Sequence, residues 1–92
     1  MKIIIIGAGR IGSSVAESLV SEDNDITVID KDPERISLLQ ARFDLRGMVG
    51  DALSPTLLED ASASDTDLLI AVTSSDETNL ASTLLAEKLF NS

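Results

Sequence analysis

Short apolar runs recur along the chain, separated by longer stretches of mixed apolar and polar positions. Residues 3–6 are four consecutive isoleucines, and residues 68–72 read Leu-Leu-Ile-Ala-Val. Apolar runs this short are typical of strands that are buried on both faces. Two further strands are predicted between these two runs, at Ile26-Thr27-Val28-Ile29 and from Arg46 to Val49. The pattern therefore predicts four strands.

The stretches after the first two strands carry helix signals. Residues 10–21 predict a first helix whose buried face consists of apolar residues spaced four apart, namely Ile11, Val15 and Leu19. Asp32-Pro33-Glu34 predicts the start of a second helix, with an acidic N-cap, a proline at the first helical position and an acid in the first turn. Its predicted buried face consists of Ile36, Leu39 and Phe43.

The third and fourth helices are predicted from similar signals. Ser54-Pro55 repeats the cap and the proline, and predicts a short helix that ends near Ala61. Ser74 and Glu77 form a capping box, which predicts a last helix that ends near Phe90. The apolar set of this helix is wider than one stripe, so one side should cover the sheet and the rest needs another partner. Its members are Leu80, Ala81, Leu84, Leu85, Leu89 and Phe90.

Alternating helices and buried strands predict an α/β fold, a parallel sheet with helices on both faces. Ninety-two residues make one domain. We expect the strand order 3-2-1-4 of a Rossmann-like sheet, truncated after the fourth strand–helix unit. A crevice should then form over the carboxyl ends of strands 1 and 4, between Gly9 and Thr73-Ser74, and a ligand should lie there. The fourth strand would be an apolar edge that favours association.

The turn after the first strand carries the pattern Gly7-x-Gly9-x-x-Gly12, and Asp30 follows eighteen residues later at the end of the second strand. Strand, glycine turn, helix, strand and acid in this order form the dinucleotide-binding fingerprint. Gly7 permits the tight turn, Gly9 lets a pyrophosphate approach the backbone, and Gly12 lets the helix pack closely on the strand.

The chemistry of this turn suits an adenosine dinucleotide. The first-turn N–H groups and the helix dipole form a seat for an anion, to which Arg10 can add a cation. Asp30 would accept both hydroxyls of the adenosine ribose and repel a 2′-phosphate, so NAD⁺ or NADH is favoured over NADP. The alternative is a glycine turn with a purely structural role. A Walker-type phosphate loop is excluded, because Ser13 stands where its lysine is required.

Composition limits the other classes of function. The net charge of −9 argues against nucleic acid, and a chain with two phenylalanines and no tyrosine or tryptophan offers no stacking platform for bases. The absence of cysteine excludes disulfides and thiolate metal sites. The apolar runs are far shorter than the roughly 18 residues of a membrane span. We interpret the clustered acids as solvated surface rather than a metal site: Asp23, Asp25, Asp30 and Asp32.

The chain is poor in residues that transfer protons. Hydride transfer normally needs a positioned proton donor or acceptor. The sequence has no histidine, cysteine or tyrosine, and its lysines lie away from the predicted crevice or at its ribose rim: Lys2, Lys31 and Lys88. These features favour ligand binding and no enzymatic activity. The cofactor-binding half of an NAD-dependent dehydrogenase and a structural dimerisation module are the alternatives.

Four motifs together resemble one family. They are Gly-Ala-Gly-Arg-Ile-Gly at 7–12, Ile-Asp-Lys-Asp at 29–32, Val-Gly-Asp-Ala at 49–52 and Ala-Val-Thr-Ser-Ser-Asp-Glu-Thr-Asn at 71–79. Over its whole length the chain resembles the N-terminal nucleotide-binding domains of TrkA type (TrkA-N), a domain type shared with the RCK/KTN regulators of potassium channels. The last motif discriminates best, because the glycine motif is common to many dehydrogenases.

The resemblance implies which residues bind the cofactor. The diphosphate would contact the glycine turn, formed by Gly7, Ala8, Gly9, Arg10, Ile11 and Gly12. Asp30 would bind the adenosine ribose, which Lys31 would flank unless it is simply solvated. Asp51 and Ala52 would border the adenine, with a turn acid as the alternative role of Asp51. Thr73 and Ser74 would meet the diphosphate or the nicotinamide-side ribose, and can also start the last helix.

The resemblance also implies a regulatory function. The ligand would be NAD⁺ or NADH, with ATP or ADP as alternatives. The partner would be a membrane potassium transporter subunit of the Trk type, contacted by a homo-oligomer at the cytoplasmic face of the cell membrane without insertion into it. Domains of this family continue with a fifth and a sixth strand. We therefore expect residues 1–92 to be one nucleotide-binding domain at the N-terminus of a longer chain.

Overall fold

The structure is a computed structural model that describes residues 1–61 and 63–90. The strands are β1 (Lys2–Ile6), β2 (Asp25–Asp30), β3 (Arg46–Val49) and β4 (Leu68–Ala71). The helices are α1 (Arg10–Val20), α2 (Pro33–Arg42), α3 (Pro55–Asp60) and α4 (Asp76–Phe90), and a short 3-10 turn spans Ala63–Asp65. The predicted succession of four strand–helix units is confirmed.

The four strands form one parallel sheet in the order β3-β2-β1-β4. Ile6 at the end of β1 is level with Ile29 in β2 and Ala71 in β4, and Asp30 is level with Val49 in β3. Because the strands end together, the turns that follow them meet at one edge of the sheet. The predicted strand order is confirmed.

The isoleucines of β1 divide the core between the two faces of the sheet. Ile3 and Ile5 face α1 and α2, whereas Ile4 and Ile6 face α3 and α4, and all four are buried. Alternate side chains of a strand point to opposite faces, so a run of isoleucines supplies both cores at once. The prediction of helices on both faces is confirmed.

The N-caps of α2 and α3 lie where the sequence predicts them. The side chain of Asp32 accepts a hydrogen bond from the N–H of Glu34, and that of Ser54 accepts one from the N–H of Leu57. In both helices proline takes the first helical position, where its missing N–H costs nothing. These signals act within three residues and do not depend on tertiary packing.

The predicted buried face of α1 is wrong at one position. Val15 and Leu19 pack against the core, but Ile11 is 62% exposed, and the fully buried residues of the helix are Gly12 and Ala16. Small residues face the sheet because the start of α1 packs tightly against the backbone of Gly7. Ile11 precedes Gly12 and is rotated from it by about 100° around the helix, out of that contact.

The predicted cap of α4 is displaced by one residue. The helix begins at Asp76, and the Oγ of Ser75 accepts a hydrogen bond of 3.1 Å from the N–H of Thr78. Ser75 rather than Ser74 is therefore the N-cap, and the capping box of Ser74 with Glu77 is wrong. The reason is that residues 73–75 form a turn of their own before the helix starts.

Helix α4 has one covered and one exposed apolar side, as its wide apolar set predicts. Leu85 and Leu89 pack against the core, and Ser82 and Ala86 are buried beneath the helix. Leu80 is 64% exposed and Leu84 is 50% exposed. The prediction for the side chain of Phe90 lies outside what the structure describes, as do residues 91 and 92.

Candidate functional site

A cavity of about 590 Å³ opens where the four strands end. It receives residues from the turns after all four strands and from the start of α2. These residues are Ile6, Gly7, Gly9, Arg10, Ile11, Ile29, Asp30, Lys31, Asp32, Arg35, Gly50, Ala52, Val72, Thr73, Ser74, Ser75 and Thr78. The crevice predicted between Gly9 and Thr73-Ser74 therefore exists.

Nine of the twelve predicted site residues line this cavity, namely Gly7, Gly9, Arg10, Ile11, Asp30, Lys31, Ala52, Thr73 and Ser74. The other three lie beside it. Ala8 and Gly12 belong to the glycine turn but are buried. Asp51 is exposed and accepts a hydrogen bond of 2.9 Å from the N–H of Leu53, which fits its alternative role as a turn acid.

Two of the three glycines in the turn are required by the fold itself. Gly7 has a φ of +113°, and a Cβ there would lie 2.9 Å from the carbonyl oxygen of Val72. This is a conformation and a space that glycine alone fits. A Cβ on Gly12 would collide with the carbonyl oxygen of Gly7. These two residues let α1 start directly against β1 and β4.

Gly9 differs from its two neighbours in the motif. Its φ of −78° is open to any residue, and a Cβ there would meet only Nη1 of Arg35, at the ordinary contact distance of 3.6 Å. The fold therefore does not demand glycine at this position. Gly9 lines the cavity just before α1 begins, so the missing side chain exposes backbone to whatever occupies the cavity.

The carboxylate of Asp30 connects the first two turns of the site. Its Oδ1 accepts a hydrogen bond of 2.9 Å from the N–H of Ala8, and its Oδ2 accepts one of 2.8 Å from the N–H of Asp32. The carboxylate is therefore held in place before any ligand arrives. A carboxylate oxygen has two lone pairs, so each oxygen can still accept a bond from a hydroxyl group.

Asn79 fixes the turn after β4, a role that the sequence analysis missed. Its Oδ1 accepts hydrogen bonds from the N–H of Thr73 at 2.8 Å and from the Thr73 hydroxyl at 2.7 Å. Its Nδ2 donates a bond of 3.1 Å to the carbonyl oxygen of Thr73. The Thr73 hydroxyl in turn accepts a bond from the N–H of Ser75. An amide side chain in the first turn of a helix, near the end of a strand, is the signal that could have identified it.

The cavity concentrates positive charge in an acidic protein. Three of the seven basic residues line it, namely Arg10, Lys31 and Arg35, against the two acids Asp30 and Asp32. The whole chain carries a net charge of −9. An excess of cationic side chains around the cavity, which also contains the positive end of the α1 dipole at Arg10, favours an anionic ligand. Arg35 was not among the predicted site residues.

The described residues offer little for other kinds of chemistry. In residues 1–61 and 63–90, no group of three or more acids could hold a metal ion. None of the helices in the same part of the chain has the length and apolar character needed to cross a lipid bilayer. The arrangement is suited to holding an anionic ligand that carries hydroxyl groups, between the glycine turn and Asp30.

The chain is similar in sequence to two potassium uptake proteins. The chain is 50% identical over 91 residues to the Trk system potassium uptake proteins TrkA of Vibrio alginolyticus and Haemophilus influenzae. The match covers 99% of this chain and 20% of each relative, so the chain spans about a fifth of their length.

Among solved structures, the AMP-bound form of a Kef CTD from Shewanella denitrificans matches with a TM-score of 0.80 and 29% identity, over 96% of this chain and 52% of that one. A putative short chain dehydrogenase/reductase family oxidoreductase from Aeromonas hydrophila matches with a TM-score of 0.75 and 20% identity, over 97% of this chain and 52% of that one, and shows the fold alone.

The family model of the TrkA-N domain matches residues 3–92, nearly the whole chain. The strand order and the helices on both faces are those of a Rossmann-like sheet. The resemblance inferred from the four motifs is thereby confirmed, and this chain belongs to the TrkA-N domain family.

Proposed function

We propose that this chain is an NAD(H)-binding regulatory domain of a potassium uptake system. The observation that carries the proposal is the meeting of the glycine turn and the held carboxylate of Asp30 in one cavity. Its volume of about 590 Å³ lies within the range of cofactor and ligand sites. A diphosphate at Gly9 and a ribose at Asp30 account for both features with one ligand.

The proposed ligand lies across the carboxyl ends of the strands. The diphosphate rests on the start of α1, and the adenosine ribose donates hydrogen bonds to Asp30. The adenine then lies towards Gly50 and Ala52, and the nicotinamide half lies towards Thr73 and Ser74. All four residues line the cavity. The negative charge of Asp30 disfavours a 2′-phosphate, so NAD⁺ and NADH are favoured over the NADP pair.

Adenosine mononucleotides are the closest alternative ligands. ATP, ADP and the dinucleotides share the adenosine and phosphate groups that the glycine turn and Asp30 recognise. The related Kef structure was solved in an AMP-bound form, which supports an adenosine site in this type of fold. The residues around Asp30 do not select between the two classes, so discrimination depends on the part of the cavity near Thr73.

The proposed output is a change in the arrangement of subunits that reaches a membrane potassium transporter of the Trk type. The relatives are named as Trk potassium uptake proteins. Helix α4 begins just after the turn that lines the cavity, and it exposes Leu80 and Leu84. An apolar helix face next to the ligand suits an interface in a homo-oligomer at the cytoplasmic side of the membrane. Regulation requires that the ligand bind two arrangements with different free energies.

Dehydrogenation is the alternative function, and the lining of the cavity argues against it. The sequence has no histidine, cysteine or tyrosine, and in residues 1–61 and 63–90 Lys31 is the only lysine that lines the cavity. Lys31 directly follows Asp30, on the ribose side of the proposed ligand. Without a proton-transfer group near the nicotinamide side, this chain is better suited to binding than to hydride transfer.

The direct test is a calorimetric titration with NADH, NAD⁺, NADPH, ATP and ADP, with light scattering to follow the oligomeric state. We expect NADH and NAD⁺ to bind more tightly than NADPH and to alter the distribution of oligomers. Asp30→Ala should weaken NADH binding by about ten-fold or more, the value of a hydrogen bond to a charged group. It should also reduce the discrimination against NADPH. Unchanged affinity and selectivity would remove Asp30 from the site.

A further inference from the structure

Arg35 lines the cavity of the candidate site, although no binding motif includes it. It belongs to the first turn of α2, and its Nη1 lies 3.6 Å from the position that a Cβ on Gly9 would occupy. That position borders the cavity and faces the backbone that a diphosphate must approach. An anion that rests on Gly9 therefore comes within reach of the guanidinium.

The present partner of Arg35 holds it weakly. Its Nε lies 3.7 Å from a carboxylate oxygen of Asp32, and the two side chains are 56% and 47% exposed. Exposed ion pairs of this kind contribute little to stability. Asp32 keeps its own role without Arg35, because it caps α2 through the N–H of Glu34. The guanidinium can therefore change partner at small cost.

We propose that Arg35 binds the phosphate groups of the nucleotide and so determines specificity for phosphorylated adenosine ligands. This inference rests on the proposed function. A guanidinium presents paired N–H donors that match two oxygens of one phosphate. Arg10 follows Gly9 directly and lines the same cavity, so the glycine turn has one arginine from α1 and one from α2. The two helices thus both contribute charge to one anion site.

The test compares Arg35→Ala with Arg42→Ala, in the full 92-residue chain. Arg42 is a matched control, since it is an arginine of the same helix with one exposed ion pair, to Glu17, and it does not line the cavity. The ligands are adenosine, AMP, ADP and NADH, each titrated by calorimetry at low and at moderate salt. Thermal unfolding of both variants shows whether the fold is retained.

We expect Arg35→Ala to weaken AMP, ADP and NADH by about ten-fold and to leave adenosine unchanged. Arg42→Ala should bind all four ligands like the unmodified chain. Arg35→Lys should recover part of the lost affinity, because it restores the charge but not the paired donors. The dependence of NADH affinity on salt should be weaker in Arg35→Ala, since one charged contact is lost.

Three results would overturn the inference. Equal NADH affinity of Arg35→Ala and Arg42→Ala, in a chain that binds NADH, would show that Arg35 does not contact the ligand. An equal loss for adenosine and for ADP would place Arg35 against the base or the ribose instead. If the unmodified chain bound none of the four ligands, the proposed function itself would fail, and the inference with it.

Discussion

Two turns face each other across the cavity, and they are built in different ways. The turn between β1 and α1 is held by backbone packing, in which Gly7 and Gly12 leave no room for side chains. The turn between β4 and α4 is held by a side chain, because Asn79 bonds to the N–H, the hydroxyl and the carbonyl oxygen of Thr73. The first turn needs particular residue types at fixed positions. The second turn depends on the side chain of a single residue, Asn79, which lies six positions after Thr73.

The difference predicts how each turn responds to substitution. A backbone contact has nowhere to move, so an added methyl group forces the helix away from the strand. A hydrogen-bonded side chain can be removed without a collision, and the cost is that of unsatisfied polar groups. Substitutions at Gly7 and Gly12 should therefore act on the whole fold. Those in the other turn should act on a local segment that lines the cavity.

The largest effect is expected for Gly12→Ala. Alanine within a helix is usually favoured over glycine by about 1 kcal/mol, but here its Cβ would collide with the carbonyl oxygen of Gly7. We expect the collision to dominate and to lower the free energy of unfolding by about 3 kcal/mol. Urea unfolding followed by circular dichroism measures this value. A variant as stable as the unmodified chain would show that the start of α1 can move away from β1.

A smaller but clear loss is expected for Asn79→Ala. The substitution leaves the partly buried N–H and carbonyl groups of Thr73 without their partner, and should cost about 2 kcal/mol of unfolding free energy. NADH affinity should fall as well, because Thr73, Ser74 and Ser75 line the cavity.

Thr83→Ala is the matched control for Asn79→Ala. The Thr83 hydroxyl donates a bond of 2.7 Å to the backbone carbonyl oxygen of Asn79, on the exposed surface of the same helix. Its removal should change unfolding free energy by less than about 0.5 kcal/mol and leave NADH affinity unchanged. If both variants behaved alike, the turn would not depend on the Asn79 side chain.

The sequence predicts the features that neighbouring residues determine better than those that depend on contacts between elements. The strands and the caps at Asp32 and Ser54 follow from signals within a few neighbouring residues, and the structure has all of them in place. Of the positions that differ, the cap of α4 is displaced by the local turn at residues 73–75, whereas the exposure of Ile11 depends on a contact between elements. Ile11 is exposed because Gly12 takes the place against Gly7, and this packing is not visible in the spacing of apolar residues alone.

In the candidate site, too, some residues were predicted from the sequence and others were missed. The glycine turn and Asp30 were predicted because their spacing is fixed by the strand, turn and helix that carry them. Arg35 and Asn79 were missed because each acts by reaching from one element to another. Whether any of these residues binds a nucleotide stays a prediction, and the glycines offer the sharpest way to test it.

Gly9→Ala should separate binding from folding. Because φ is −78° and the nearest side-chain atom is 3.6 Å from the added Cβ, the fold should tolerate alanine within about 1 kcal/mol. The methyl group would occupy the surface against which the diphosphate rests, so NADH affinity should fall by about ten-fold. Calorimetry and urea unfolding on the same sample measure both values. Retained NADH affinity would mean that the diphosphate does not approach Gly9.

The smallest effect distinguishes the two serines before α4. Ser75→Ala removes the Oγ that accepts from the N–H of Thr78, and should cost about 1 kcal/mol of unfolding free energy. Ser74→Ala makes the same chemical change one residue earlier, at an exposed position, and should cost less than about 0.5 kcal/mol. The capping box predicted from the sequence requires instead that Ser74→Ala lower the free energy of unfolding more than Ser75→Ala does. Since both serines line the cavity, a loss of NADH affinity in Ser74→Ala without loss of stability would assign Ser74 to the ligand rather than to the helix.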